Sequence, residues 1–140
     1  MKPVRQAAIK EMLTRLEHRQ SLLQEKCAEW LVAENQLSQE MADRLSRQWV
    51  ELVVSLKKME EIDWQQQALR FGAWCAAQKI PFDTVITQLH YYKRAATPWL
   101  VREYPGVEGY LEAHLALDEA LTLLMGKIPE GYYRASESDL

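Results

Sequence analysis

Apolar residues recur at steps of three and four along most of this chain, and glycine and proline interrupt that spacing at only a few places. Such spacing puts the apolar residues on one face of an α-helix. No stretch of useful length alternates apolar and polar residues as a half-buried strand would, and no long internal repeat is present. The sequence therefore predicts an all-α fold with about five helices.

The first half of the chain contains two predicted helices and the start of a third. Residues 4 to about 33 have no glycine or proline and form one amphipathic helix, or two with a weak joint. Ser38 is expected to cap the second helix, which should fade near residues 57 to 59 because cations suit a helix end. Asp63, with Gln66 three residues later, predicts the start of the third helix.

Proline and glycine divide the second half. Pro81 biases the preceding residue out of the helical region, so it should end the third helix, and Asp83 is expected to cap the fourth. Pro98 lies inside the fourth apolar pattern and predicts a kink or the loss of one backbone hydrogen bond. Residues 104 to 106, Tyr-Pro-Gly, form the clearest break, and a fifth helix should run from 107 to 125.

The length of 140 residues suits one domain with a single core. We expect that domain over residues 1–128. Pro129 and Gly131 follow the fifth helix, and the polar end of the chain reads as solvated. A flexible tail is therefore predicted over residues 129–140.

Charge and hydropathy restrict the partners. The 17 basic and 20 acidic residues are mixed along the chain and leave a net charge of −3, so no basic face for nucleic acid is expected. The longest uncharged stretches fall far short of the ~20 apolar residues that span a bilayer, and the first residues lack the apolar core of a signal peptide. We therefore expect a cytoplasmic protein without nucleic acid or membrane partners, with Cys27 and Cys75 reduced.

Catalytic and metal-binding patterns are lacking in the sequence. His18, His90 and His114 lie on different predicted helices, and no serine or cysteine belongs to a recognised nucleophile motif. No pair of histidines lies four residues apart, and no Glu-x-x-His step occurs, although both are typical of helical metal sites. The sequence therefore predicts no enzyme activity, no catalytic residue and no metal.

Aromatic residues are abundant, with five tryptophans and six tyrosines, and many fall on the apolar stripes. One interpretation is a core in which indole N–H and phenol O–H groups need partners. The other is an apolar pocket for a flat ligand. Such a pocket should lie between the third and fourth predicted helices, and its candidate lining residues are Trp74, Cys75, Leu89 and Trp99.

Cys75 has small neighbours, with Gly72 three residues before it and two alanines directly after it. Small residues allow another helix or a planar ligand to approach closely. The cysteine itself is a small apolar core residue, or a thiolate that ligates haem iron or senses redox state. The nearest cation in sequence is Lys79, one helical turn onward.

Residues 72 to 100 resemble the sensor globins, a group that includes the globin-coupled sensors and the non-haem globin-like amino-terminal domains of stressosome-type sensor proteins. The matching elements, in order and without a gap, are Cys75, the step Ile80-Pro81, the basic pair Lys93-Arg94 and the step Pro98-Trp99. The resemblance covers about one fifth of the chain at the level of motifs. It implies a globin-like helical bundle over residues 1–128.

One departure from the resemblance bears on the cofactor. Cys75 stands where the haem-binding members have their proximal histidine, and no tyrosine precedes Tyr91 to serve as a distal ligand. A thiolate brings a negative charge and a redox potential that differ from those of a neutral imidazole. The resemblance therefore implies a non-haem sensor that binds no cofactor, acts as a homodimer and passes its signal to a signalling protein or output domain.

The sequence leaves three hypotheses for the function of the chain. The preferred one is a non-enzymatic sensory or regulatory domain that binds a signal or partner and transmits it through helix packing or dimerisation. The first alternative is a haem-binding gas or redox sensor with Cys75, His90 or His114 as the axial ligand. The second is a helical protein–protein interaction module without a ligand, in which the long first helix is the binding surface.

Overall fold

The computed structural model describes residues 3–58 and 61–138, which form seven α-helices and a short 3-10 helix at Glu17–Arg19. No strand occurs in these two ranges, so the all-α prediction is confirmed. The helix count exceeds the predicted five because the first predicted helix is divided near residue 16 and because a helix follows the fifth one. The helices are α1 Pro3–Arg15, α2 Gln20–Asn35, α3 Gln39–Ser55, α4 Glu61–Ala77, α5 Phe82–Glu103, α6 Val107–Met125 and α7 Ile128–Ser138.

One of the three predicted caps is confirmed. Ser38 is the N-cap of α3, and its hydroxyl oxygen accepts a hydrogen bond from the Met41 N–H at 3.2 Å. Asp63 is not a cap, because α4 already includes Glu61. Asp83 is not a cap either: Pro81 holds that position with extended backbone, and Asp83 lies in the first turn of α5. The predicted fading of the second helix agrees with the end of α3 at Ser55, while Met59 lies outside the described residues.

The α4–α5 connection has a defined backbone geometry. Lys79 adopts the left-handed conformation with φ of 59°, and the Ile80 N–H donates to the Cys75 carbonyl at 3.0 Å. The Lys79 N–H donates to the Ala76 carbonyl at 2.9 Å, which completes a Schellman motif. The motif satisfies the last carbonyls of α4 and turns the chain at Lys79, so the helix ends before Pro81, as the sequence predicted.

The α5–α6 connection also follows its sequence. Gly106 has φ of 102°, a value that favours glycine, and it is the N-cap residue of α6. The break predicted at residues 104 to 106 is therefore confirmed. Pro98 lies inside the continuous helix α5. Since proline has no N–H, the Arg94 carbonyl lacks its usual helical donor there.

A buried tryptophan joins the central helices. Trp49 of α3 is fully buried, and its ring centroid lies 5.7 Å from that of Phe71 in α4 and 6.3 Å from that of Tyr92 in α5. The Tyr92 hydroxyl donates to the Gln20 side-chain oxygen of α2 at 3.1 Å. Four helices therefore meet around one aromatic cluster.

Several helices pack against helices that are distant from them in sequence. Helix α2 packs against both α3 and α5, α1 packs against α6, and α7 packs against α4. Within the described residues, no helix is long and apolar enough to cross a membrane.

Helix α7 overturns the prediction of a flexible tail from residue 129. Pro129 occupies the first turn, where its missing N–H costs no helical hydrogen bond. Gly131 packs so closely on α4 that an added Cβ would overlap the Leu69 carbonyl oxygen, and a Cβ on Gly72 would overlap the Ile128 carbonyl oxygen. The close approach predicted at Gly72 is therefore made by another helix. Residues 139 and 140 of the predicted tail lie outside the described residues.

A methyl group at this contact tests its importance. We expect Gly131→Ala to lower the free energy of unfolding by about 2–3 kcal/mol, because the added Cβ meets backbone that must shift. Urea denaturation followed by circular dichroism measures the change.

The matched control is Gly109→Ala in α6. There the nearest side-chain atoms lie 3.8 Å from the added Cβ, which is an ordinary contact. This variant should be as stable as the parent or more stable by up to about 1 kcal/mol, since alanine favours helix. Equal stability of the two variants would contradict the packing of α7 on α4.

Candidate functional site

The structure separates the four residues predicted to line one pocket. Trp74 lines a groove between α3 and α4, whereas Leu89 lines a groove between α5 and α6. Trp99 lines a third groove beside α2, with Leu22 among its neighbours. Cys75 is fully buried in the core. The pocket was predicted between the third and fourth helices of the sequence analysis, which are α4 and α5. The groove at Trp74 lies instead between α3 and α4.

Both cysteines are apolar core groups. Cys27 and Cys75 are free, fully buried thiols. Burial raises the pKa of each thiol from its ordinary value of 9.0 to about 12, because a thiolate would lose its hydration there. The thiol is therefore the stable form at neutral pH. The geometry favours Cys75 as an apolar core residue over Cys75 as a redox-sensing thiolate.

The histidine candidates lie in different surroundings. His90 is exposed and lines the α5–α6 groove, whereas His114 is half-buried in α6, with Nε2 3.5 Å from Asp118 Oδ2. Lys93 Nζ lies 2.7 Å from the other oxygen of Asp118. Neither histidine lines the groove at Trp74. Among the residues that the structure describes, no group of three or more His, Cys, Asp or Glu side chains is arranged to hold a metal ion.

The groove between α3 and α4 is lined by charged as well as aromatic side chains. It has a volume of about 510 Å³ and is open to solvent. Its walls combine charged, amide and aromatic side chains from both helices, namely Arg47, Gln48, Glu51, Leu52, Gln67, Arg70, Phe71 and Trp74.

Two ring contacts show the relative direction of α3 and α4. The Arg44 guanidinium carbon of α3 lies 5.5 Å from the Trp74 ring centroid, and Trp49 lies next to Phe71. Residue numbers therefore rise along α3 as they fall along α4, so the two helices are antiparallel. Arg47, between Arg44 and Trp49, lies level with the segment of α4 from residue 70 to 74. Glu51 lies farther along, toward Gln67.

Arg47 and Arg70 of this groove form no ion pair within the described part of the chain, and Arg44 and Arg102 form none either. Five arginines form ion pairs with carboxylates: Arg5, Arg15, Arg19, Arg94 and Arg134. Within residues 3–58 and 61–138, no carboxylate pairs with Arg47 or Arg70, although both are exposed. One end of the groove therefore presents two guanidinium groups without a carboxylate in ion-pair contact, and Glu51 lies one helical turn beyond Arg47.

The sequence identified Trp74 of this groove and missed Phe71 and the arginines. Arg44, Arg47 and Glu51 lie three and four residues apart on α3, and Gln67, Arg70 and Trp74 do so on α4. That spacing is a signal for two polar faces. The sequence did not indicate that these faces lie side by side, because the antiparallel contact depends on the fold.

Comparisons with protein-family models, with curated proteins and with solved structures find no match to this chain. The likeness to sensor globins therefore continues to depend on the motifs of residues 72 to 100.

Thiol chemistry tests the burial of the cysteines. Native protein at pH 8 should react with an aromatic disulfide reagent far more slowly than a free thiol does, because both side chains are buried and protonated. In guanidinium chloride both cysteines of each chain should react rapidly. The released chromophore measures the reaction, and a Cys75→Ser variant should release half as much. Rapid reaction of the native protein would contradict this placement.

The raised pKa values also predict loss of stability in alkali. Below pH 9 the thiols are protonated in both states, whereas above it the unfolded chain loses protons that the folded chain keeps up to about pH 12. Each thiol should then lower the free energy of unfolding by about 1.4 kcal/mol per pH unit over that window.

Urea denaturation at several values of pH between 8 and about 11.5 measures this slope. Cys75→Ala should have a shallower slope than the parent, whatever its stability at pH 8. Parallel slopes would show that Cys75 ionises equally in both states.

Proposed function

We propose that this chain is a non-enzymatic, globin-like regulatory domain that acts as a homodimer through α6. The observation that carries the proposal is an exposed apolar stripe on that helix. Val107, Leu111 and Leu115 follow one another at four-residue steps, and their exposed fractions are 75%, 51% and 55%. Residues four apart lie on the same face of a helix, so the three side chains form one surface.

The opposite face of α6 explains why this stripe is available for a partner. Ala113, Leu117 and Leu124 are buried in the core, so α6 already has its intramolecular contacts. The exposed stripe has no part in them. Contiguous exposed apolar surface is typical of association sites, because burying it removes apolar area from water.

A second copy of the chain is the occupant that this stripe suits. Evenly spaced apolar side chains on one helix can pack on the same stripe of an antiparallel copy, which gives the self-complementary contact of a twofold dimer. Val101 of α5, just before the connection to α6, is a further exposed apolar side chain, at 55%.

The helix contacts support a globin-like arrangement over an up-and-down bundle. Helices distant in sequence pack together, α1 with α6 and α2 with α5. In an up-and-down bundle, by contrast, consecutive helices are neighbours. The apolar residues of α1, including Ile9, Met12 and Leu16, are buried, which favours α6 over the first helix as the binding surface.

Regulation follows from the position of α6. It packs against α1, α5 and α7, and α7 packs closely on α4. A signal that favours one packing of these helices would shift the population of dimer-competent chains. The dimer would then present the changed surface to a signalling protein or output domain.

Native mass tests the proposal. At about 100 µM protein, where a dimer with a micromolar Kd is mostly assembled, light scattering should give twice the chain mass of 16.3 kDa. The double variant Leu111→Arg, Leu115→Arg should give a monomer with unchanged helical content, because both side chains are exposed.

The control makes the same chemical change on another helix. Leu22 of α2 is 42% exposed, and Leu22→Arg should leave the mass at that of the dimer. A monomeric parent protein, or a double variant that remains a dimer, would overturn the proposal.

A further inference from the structure

We infer that the groove between α3 and α4 binds an aromatic carboxylate, with the carboxylate at Arg47 and Arg70 and the ring against Trp74. This inference goes beyond the proposed function and does not depend on dimerisation, because the residues of the groove are on α3 and α4 and the apolar stripe is on α6.

The charge of the groove selects an anion. Three arginines surround its Trp74 end, since Arg44 lies over the Trp74 ring and both Arg47 and Arg70 line the walls. Glu51 is the one acidic residue among the eight that line it, and it lies toward the opposite end. The groove is therefore locally positive in a chain whose net charge is −3.

The two arginines are available to an external partner as far as the described residues show. No carboxylate of the described residues pairs with Arg47 or Arg70, so an anionic ligand would displace no existing ion pair. A guanidinium group presents N–H donors in a planar fork that matches the two oxygens of a carboxylate. Both arginines line the groove, one from each helix, so the inference places the carboxylate between them.

The aromatic side chains select a ring. Trp74 is half-buried and contributes one wall, and the buried Phe71 forms the floor with Trp49 behind it. Arg44 lies against the Trp74 indole and helps to hold its orientation. A flat ring placed along this wall gains the offset or edge contacts that aromatic pairs favour.

The size of the groove favours a small molecule. Its volume of about 510 Å³ falls within the usual range of sites for small ligands. Gln48 and Gln67 add amide groups along its length. They provide donors and acceptors for a polar substituent on the far side of the ring.

Three probes separate the contributions of ring and charge. The probes are 2-naphthoate, the neutral 2-naphthalenemethanol and acetate, each titrated into the full chain by isothermal calorimetry at low ionic strength. We expect 2-naphthoate to bind with a Kd below about 200 µM, which gives a binding free energy per non-hydrogen atom between that of drug-sized ligands and that of the best very small ones. The alcohol and acetate should each bind at least tenfold more weakly.

Variants locate the binding. Arg47→Gln and Arg70→Gln should each weaken 2-naphthoate about tenfold, as expected for loss of a charge-assisted hydrogen bond. Trp74→Leu should weaken 2-naphthoate and leave the weak binding of acetate unchanged. Arg47 and Arg70 are exposed, so circular dichroism should give the same helical content for all variants with an altered arginine.

The matched control is Arg102→Gln. Arg102 of α5 lies over another tryptophan, with its guanidinium carbon 4.9 Å from the Trp99 ring centroid, and it does not line this groove. This variant should bind 2-naphthoate as the parent does.

Three outcomes would overturn the inference: no heat of binding for 2-naphthoate at millimolar concentration, equal affinity for the neutral alcohol, or equal losses in Arg70→Gln and Arg102→Gln. None of them bears on the mass measurement that tests dimerisation, so the two proposals fail separately.

Discussion

The arrangement of the central helices depends on the packing of one buried side chain, Trp49. Its indole lies against Phe71 and Tyr92, and the Tyr92 hydroxyl reaches Gln20, so α2, α3, α4 and α5 are held around one side chain. A tryptophan fills the largest volume of any side chain, and close-packed interiors leave little room for alternatives. The spacing between α3 and α4 follows from this contact.

That spacing shapes the surface between the two helices. Because Trp49 and Phe71 fill the interior between α3 and α4, the remaining space is an open groove at the surface with Phe71 as its floor. The residues that face the groove are then the outward residues of two polar helix faces, including Arg47 and Arg70. The Cys75 thiol of α4 is fully buried, so it is kept from solvent and remains protonated at neutral pH.

Helix α7 closes the other side of α4. Gly131 and Gly72 let the two backbones approach closely, and the Tyr132 hydroxyl donates to the Ile80 carbonyl at 2.7 Å. The rings of Phe82 and Tyr132 lie 5.1 Å apart, which joins the start of α5 to the same contact. Helix α4 is thus held between the aromatic cluster and α7, so a ligand on its open face would act on a helix that contacts both. This arrangement connects the groove to α6 through α5 and α7.

Local patterns in the sequence determined the all-α fold, most helix ends and several turns, because each depends on a few neighbouring residues. Ser38 caps α3, Gly106 provides a positive φ, and the chain turns before Pro81. Only the tertiary structure decided the roles of residues that depend on distant partners. Pro129 and Gly131 look like helix breakers locally, yet Gly131 permits the contact of α7 with α4. Trp74, Leu89 and Trp99 all lie at positions of the apolar helical pattern, yet they line separate grooves. Arg47 and Arg70 line one groove because α3 packs beside α4, and that contact depends on packing between residues far apart in the chain.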